Sequence, residues 1–316
     1  MNLRDLRYLV AVADHGHFGR AAQSCFVSQP TLSGQIKSLE EELGVALFER
    51  TTKSVRATPA GARIAGLART LLEQAGAIED AARELREPMS GTVRLGVIPT
   101  VAPYLLPRVL GPMRKRYPRL GLVLAELQTQ VLLERLQEHR IDAAIIASAE
   151  TSNAAGIEIE EILLYRESFR VAIPKGHPLA EVDAVPLRIL RDADVLLLAD
   201  GHCLGDQVQE LCELGGNRRI APADNPELAA RGDLRASSLE TLLQLVAVGF
   251  GLTLVPELAV HASGAHRENI VTRPIDSPAA GRTVRLVFRR SFPVRSMLES
   301  LGDEIRRHVP KGMRLA

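Results

Sequence analysis

The 316-residue sequence predicts an α/β protein with an N-terminal winged helix-turn-helix, one long linker helix, and a larger region of alternating strands and helices. Three observations lead there. Short apolar-striped segments before residue 60 are punctuated by His15-Gly16-His17, Ser28-Gln29-Pro30 and Gly44. From Ile64 to Leu85 an apolar residue recurs at steps of four and three. Beyond Gly91, strand-like runs alternate with helical ones, the order that builds a mostly parallel sheet through helical crossovers.

Leu6, Leu9, Val10, Val12 and Ala13 give the first helix its apolar stripe, and Phe18 to Cys25 forms a short alanine-rich second one. Ser28 or Gln29 can cap the third helix, Pro30 suits its first turn, and Gly44 stops it. Leu47 to Arg50 and Val55 to Thr58 read as a two-stranded wing. Thr58 caps the long helix with Pro59 at its first position. Its seam of Ile64, Ala68, Leu71, Ala75, Ile78, Ala82 and Leu85 is heptad-like. That seam fits a dimerisation coil, the alternative being an amphipathic helix lying on its own core.

After Pro88-Met89-Ser90-Gly91 the chain alternates. Thr92–Ile98, Leu120–Glu126 and Ala143–Ala147 are strand-like, with helical Leu105–Tyr117 and Val131–His139 between them. Val171–Pro174, Val195–Leu198, helical Ser238–Val248 and Leu252–Val255 continue the pattern, and Val284–Phe288 with Met297–Val309 closes it. Ligands of open α/β sheets bind beyond strand ends, which directs attention to Pro99-Thr100 and Ala199-Asp200-Gly201-His202.

Global composition mostly excludes. Apolar residues are 46%, mean hydropathy is +0.03, and 39 cations face 38 anions, so the chain is no uniformly basic coat. The longest apolar stretches, such as Val195–Ala199, are far short of the ~20 residues of a membrane helix. The first residues lack a secretory pattern, so a cytoplasmic location is expected. No phosphate loop, zinc helix or nucleophile elbow is present, and Gly249-Phe250-Gly251 lacks both the third glycine and the strand-to-helix order of a dinucleotide loop. Eight histidines and three cysteines make no four-ligand zinc spacing, so neither enzyme activity nor a metal or other cofactor is expected.

Nucleic-acid binding has a positive case. From Arg50 to Leu72 the charges are Arg50, Lys53, Arg56, Arg63 and Arg69, with no acid among them. A wing carrying such cations suits phosphates, while Gln29, Pro30, Thr31, Ser33, Gln35 and Lys37 open the third helix with groups that can meet base edges. A solvated charged face is the alternative.

Gly201-His202-Cys203-Leu204-Gly205-Asp206 to Leu211-Cys212 is the sharpest feature. If Leu204 to Cys212 is helical, nine residues of rise separate the two Cα atoms by about 13 Å. A disulfide needs roughly 5.5–6 Å, so bonding requires unwinding. Cys203, after a strand end and at a helix start, reads as the attacking thiol, and Cys212, in an apolar stretch, as the resolving one. Two unrelated buried cysteines remain an equal reading from the residues alone. Cys25 reads as a small core residue. His202 is either a structural histidine or a donor beside Cys203.

Asn2-Leu-Arg-Asp-Leu-Arg-Tyr-Leu-Val, Phe18-Gly-Arg-Ala-Ala, Val27-Ser-Gln-Pro-Thr-Leu-Ser and Leu43-Gly-Val through Phe48-Glu-Arg resemble the N-terminal domain of LysR-type transcriptional regulators. Ile98-Pro-Thr-Val-Ala-Pro-Tyr-Leu-Leu-Pro107, Asp200-Gly-His-Cys-Leu-Gly-Asp-Gln207 and Ser238-Leu-Glu-Thr-Leu resemble its peroxide-sensing group. The resemblance implies a DNA-binding head over 1–58 and a dimerisation helix over 59–88. It also implies a periplasmic-binding-protein-like sensor of two α/β subdomains, 89–166 with 269–316 and 167–268. It further implies a homotetramer, a dimer of dimers on double-stranded promoter DNA, that works with RNA polymerase and activates oxidative-stress defence genes when hydrogen peroxide forms a Cys203–Cys212 disulfide. Thr100, Thr129, His202, Asp206 and Arg282 match peroxide-pocket positions. Two departures stand out: Gly205 replaces a usual arginine, and Gly216 to Asp233 looks like an insertion. Competing readings are a LysR-type regulator of an organic effector, and a binding protein or enzyme fused to an accessory helical domain.

Overall fold

The computed structural model describes residues 1–50, 55–84, 89–148, 158–190, 193–214, 235–262 and 267–313. Two compact units result, Met1–Pro88 with Glu138–Arg140, and Met89–Gln137 with Ile141–Ala316.

In the first unit, α1 (Leu3–His15), α2 (Phe18–Ser24) and α3 (Gln29–Leu43) enclose a core of Leu6, Leu9, Val12, Leu32, Ile36 and Leu39. Each helix boundary has a local cause. Asn2 and Asp5 form a reciprocal capping box on α1, His17 Nδ1 accepts from Gly19 N at 3.0 Å on α2, and Ser28 Oγ accepts from Thr31 N on α3. Gly44 ends α3 at φ 69°, the left-handed cap that glycine adopts without penalty. The wing is antiparallel, β1 (Phe48–Arg50) against β2 (Val55–Ala57). Thr58 then caps α4 (Pro59–Glu84), accepting from Gly61 N at 2.9 Å while donating to the Ala46 carbonyl.

The face of α4 is divided in a way the heptad count does not show. Ala65 and Ala68 lie in the helix-turn-helix core with Ile64 and Leu72 against it. Leu71 and Ile78 of the anticipated line are 44% and 74% exposed, and Leu67, outside that line, joins them at 64%, so the open seam keeps part of the expected face and loses Ile64 and Ala68 to the core. Leu85, its last expected member, lies outside the described residues.

The second unit is built on a mixed eight-stranded sheet in the order β4-β3-β5-β12-β6-β11-β7, with β10 also on β6. Here β3 is Gly91–Val97, β4 Leu120–Glu126 and β5 Ala143–Ile146, mutually parallel and joined by α5 (Ala102–Arg116) and α6 (Thr129–Gln137). The expected mostly parallel sheet stops there. The long strand β6 (Ile159–Pro174) is followed by β7 (Val185–Pro186), α7 (Leu187–Leu190), β8 (Leu197–Leu198), α8 (Cys203–Leu214), β9 (Arg235–Ala236), α9 (Leu239–Ala247), β10 (Thr253–Pro256) and α10 (Glu257–Ala262). Then come β11 (Ile270–Asp276), β12 (Gly281–Arg289) and α11 (Arg295–His308). β6 runs antiparallel to β10, β11 and β12, with β12 on one side of it and β11 on the other. β8 and β9 pair in parallel apart from this sheet. No helix among the described residues is long and apolar enough to cross a membrane.

Candidate functional site

In the first unit, α3 turns Leu32, Ile36 and Leu39 inward, leaving Gln29, Pro30, Thr31 and Lys37 exposed and Ser33 and Gln35 half-buried. Gln29, Thr31 and Lys37 therefore stand in solvent on this helix, with Ser33 and Gln35 at the edge of its buried stripe. Lys37 makes only a loose pair with Glu41 at 3.7 Å, with both side chains in solvent. Arg56 is exposed on β2 opposite Glu49. Arg50 belongs to β1, its side chain not among those described, and Lys53 lies outside the described residues. Arg69, one of the acid-free run, is turned aside: it pairs with Asp14 at 2.6 Å and is 15% exposed. Glu40, just upstream, is also structural, its carboxylate accepting from Leu47 N and Phe48 N at the entry to the wing. Cys25 packs half-buried against the same core, as anticipated.

In the second unit, the segment after β8 turns at Gly201, whose φ of 89° suits glycine; a Cβ there would meet Gln128 Oε1 at 2.6 Å. That close approach brings Gln128 Nε2 to donate to the Asp200 carbonyl at 3.3 Å. The neighbouring Thr129 Oγ1 is sealed from solvent with no hydrogen-bond partner among the described residues. His202 is buried, and Cys203 opens α8 in a half-buried position.

α8 is helical through both cysteines, and both are reduced. Leu204, Val208, Leu211 and Cys212 form its buried face. Nine residues at 100° each put Cys203 and Cys212 on opposite sides of the helix, beside the axial gap of about 13 Å. This helix cannot carry a bond between them.

Arg282 supplies the charge. The β6–β12 register sets it directly across from Glu167. Its Nε donates to Glu167 Oε1 at 2.9 Å, one terminal nitrogen to Thr100 Oγ1 at 2.9 Å, and the other to the Thr100 carbonyl at 3.0 Å. Burial opposes its charge, but Glu167 and then Cys203 act on it electrostatically and hold the guanidinium above its ordinary value. Positive charge is thus fixed within Coulombic reach of Cys203. Burial pushes the His202 imidazole below its ordinary value, so it is uncharged at neutral pH and is not the cation. Tyr165, two residues before Glu167 and fully buried, is held protonated by burial and the Glu167 charge against the opposing pull of Arg282.

Thr100 and Arg282 are therefore brought together, Cys203 lies within electrostatic range of the guanidinium, and His202 precedes Cys203 in sequence. Asp206 is different: it stands exposed in the first turn of α8. Gly205 sits beside the Leu198 carbonyl, and the segment from Gly216 to Asp233 lies outside the described residues. Glu167 was missed by sequence reasoning. Only the pairing of strands 115 residues apart identifies it, and no local motif surrounds it. Among the described residues, no group of three or more His, Cys, Asp or Glu side chains could hold a metal.

Residues 3–62 match the model of the bacterial regulatory helix-turn-helix protein, lysR family, and residues 86–310 match the LysR substrate binding domain. The chain belongs to the LysR family. It is a DNA-binding regulator and not an enzyme. This LysR-family chain is 43% identical over 306 residues to the DNA-binding transcriptional dual regulator OxyR of Escherichia coli K12, covering 97% of this chain and 95% of that one. It is 42% identical over 309 residues to the hydrogen peroxide-inducible genes activator of Dickeya chrysanthemi, covering 98% and 96%. A solved full-length OxyR variant of Pseudomonas aeruginosa superposes with a TM-score of 0.78 at 35% identity, covering 98% of this chain and 99% of that chain. The LysR-family assignment within the OxyR group thus extends over nearly the whole sequence.

Proposed function

We propose that this regulator senses hydrogen peroxide through a reversible Cys203–Cys212 disulfide and then activates oxidative-stress defence genes. The observation that carries the reading is one helix holding both thiols on opposite sides, with a buried guanidinium in Coulombic reach of the first. The Cys203 thiolate attacks one peroxide oxygen, the O–O bond breaks, and the departing oxygen leaves as water, giving a sulfenic acid. The Cys212 thiolate then attacks that sulfur and displaces the second oxygen as water. Two thiols and one peroxide become one disulfide and two waters. Thr100, Thr129, His202, Asp206 and Arg282 are assigned to the peroxide pocket, and the unpartnered Thr129 hydroxyl supports a polar guest there. The second step requires α8 to unwind, which remodels the domain around it.

The remaining assignments belong to the same reading. Residues 1–58 form the DNA-binding head, with Gln29, Pro30, Thr31, Ser33, Gln35, Lys37, Arg50, Lys53 and Arg56 on double-stranded promoter DNA. Residues 59–88 dimerise, which the open seam of Leu67, Leu71 and Ile78 supports. Residues 89–166 with 269–316 form one sensor subdomain and 167–268 the other. The working assembly is a cytoplasmic homotetramer, a dimer of dimers, that acts with RNA polymerase.

The test is a peroxide titration with thiol counting and a sulfenic-acid probe. Wild type falls from three thiols to one. Cys212→Ser stops at a trapped sulfenic acid on Cys203, and Cys203→Ser is inert. Wild-type peroxide consumption by Cys203→Ser overturns the proposal.

A further inference from the structure

Phe26 is 96% exposed, more than any other large apolar residue among those described, and its backbone is left-handed at φ 56°. It terminates α2 in the arrangement that glycine usually supplies. Phe26 N donates to the Gln23 carbonyl at 3.1 Å and Val27 N to the Ala22 carbonyl at 3.0 Å, the paired bonds of a helix end with a left-handed residue between them. An L side chain there is strained by the contact of Cβ with its own carbonyl. Such a conformation persists where the surrounding structure fixes it, as the two helix-end hydrogen bonds do here. Among the described residues of the head this ring joins no core, while Ala21, Ala22 and Leu32 are buried. The turn therefore holds an apolar ring out in solvent at the entrance to α3.

What meets it follows from position. Phe26 is two residues ahead of the Ser28 cap and three ahead of Gln29, whose exposed side chain opens α3. In a helix-turn-helix the N-terminal residues of the second helix contact base edges in the major groove, so a residue two positions before its cap is carried to the mouth of that groove. The groove offers deoxyribose carbons along its walls and thymine methyls on its floor, the apolar parts of DNA, and phenylalanine is among the side chains that contact the methyl. We propose that Phe26 is a DNA-contacting residue, its ring held outward by the left-handed turn to make apolar contact with sugar or thymine methyl in the groove. This rests on the reading of α3 as the DNA-facing helix.

The experiment uses the full chain and a duplex enriched by the wild type from a random-sequence pool. Phe26→Gly, Phe26→Ala and Gln29→Ala are compared for affinity, melting temperature and sedimentation mass. Phe26→Gly relieves the strain, so its melting temperature is expected to stay level or rise while duplex affinity falls roughly tenfold. Loss of stability alone cannot produce that opposite movement. Replacing thymine by uracil in the duplex separates the two contacts: wild type weakens and Phe26→Gly does not if the methyl is touched, and neither weakens if the sugar is. Unchanged affinity in Phe26→Gly with weakened binding in Gln29→Ala overturns the inference and leaves α3 in place. Unchanged affinity in both overturns the two together. A change in sedimentation mass with affinity intact assigns the ring to another copy of the chain and also overturns the inference.

Discussion

Glu167 and Arg282 form an ion pair sealed inside the second unit, 2.9 Å apart with side chains 0% and 1% exposed. Neither charge is left half-satisfied. The second carboxylate oxygen accepts from Leu258 N at 2.9 Å in the first turn of α10, and the guanidinium is completed by Thr100. One pair thus ties β6, β12, Thr100 and α10 together, with Cys203 within electrostatic range of the guanidinium.

A buried pair costs most when only one partner is removed, because the other charge stays desolvated. Glu167→Ala is expected to destabilise the protein by about 3–5 kcal/mol, measured by urea unfolding. Adding Arg282→Met should recover part of that loss. A single-mutant cost below about 1 kcal/mol, the range of exposed pairs, would contradict the sealed geometry.

Burial depresses the His202 imidazole in the folded state, so it binds its proton more readily when unfolded. The unfolded chain then carries more protons as pH falls through about 6.5, and stability must decrease in that direction until the folded value is passed. Above that window the group makes no pH-dependent contribution. Melting temperatures from pH 7.5 down to 5.5 should fall further for wild type than for His202→Gln. Parallel curves would remove His202 from the account.

On DNA, log affinity should decline linearly with log salt as contacted phosphates release counterions. Arg56→Ala, which removes an exposed cation of the wing, should flatten that slope by roughly 1 and weaken different duplexes about equally. A salt-independent affinity is incompatible with a phosphate-gripping wing.

The open seam of α4 gives a separate test. Leu67→Glu with Ile78→Glu places two carboxylates on positions 64% and 74% exposed in the single chain, so folding should be unaffected. If the seam is an interface, sedimentation will show a smaller assembly and duplex affinity will drop. An unchanged mass would move dimerisation elsewhere.

Much of the head was legible because its signals are local. Pro30, the Ser28 cap and Gly44 act within a turn of themselves, and they place α3 as the structure has it. The cysteine helix was legible for the same reason, its apolar spacing of Leu204, Val208 and Leu211 lying inside twelve residues. The sheet was only half legible. Helical crossovers foretold β3, β4 and β5, but Glu160, Glu161, Arg166 and Glu167 interrupt the apolar pattern of β6, so only its last residues, Val171–Pro174, read as a strand. Arg282 was reached by resemblance alone, and its partner Glu167 not at all, because a cross-strand register belongs to the sheet and not to either segment. The heptad line on α4 likewise pointed to a seam that the head partly consumes: Ala68 goes into the core, and Leu67 is left outside.

The central claim is that α8 is a redox spring, helical while both thiols are reduced and necessarily broken when they bond. Peptide mapping by mass spectrometry after substoichiometric peroxide tests it most directly. The account predicts a Cys203–Cys212 linked peptide that disappears on reduction, with Cys25 still a free thiol. Recovery of Cys203 and Cys212 as separate, unlinked peptides after peroxide has been consumed would contradict it.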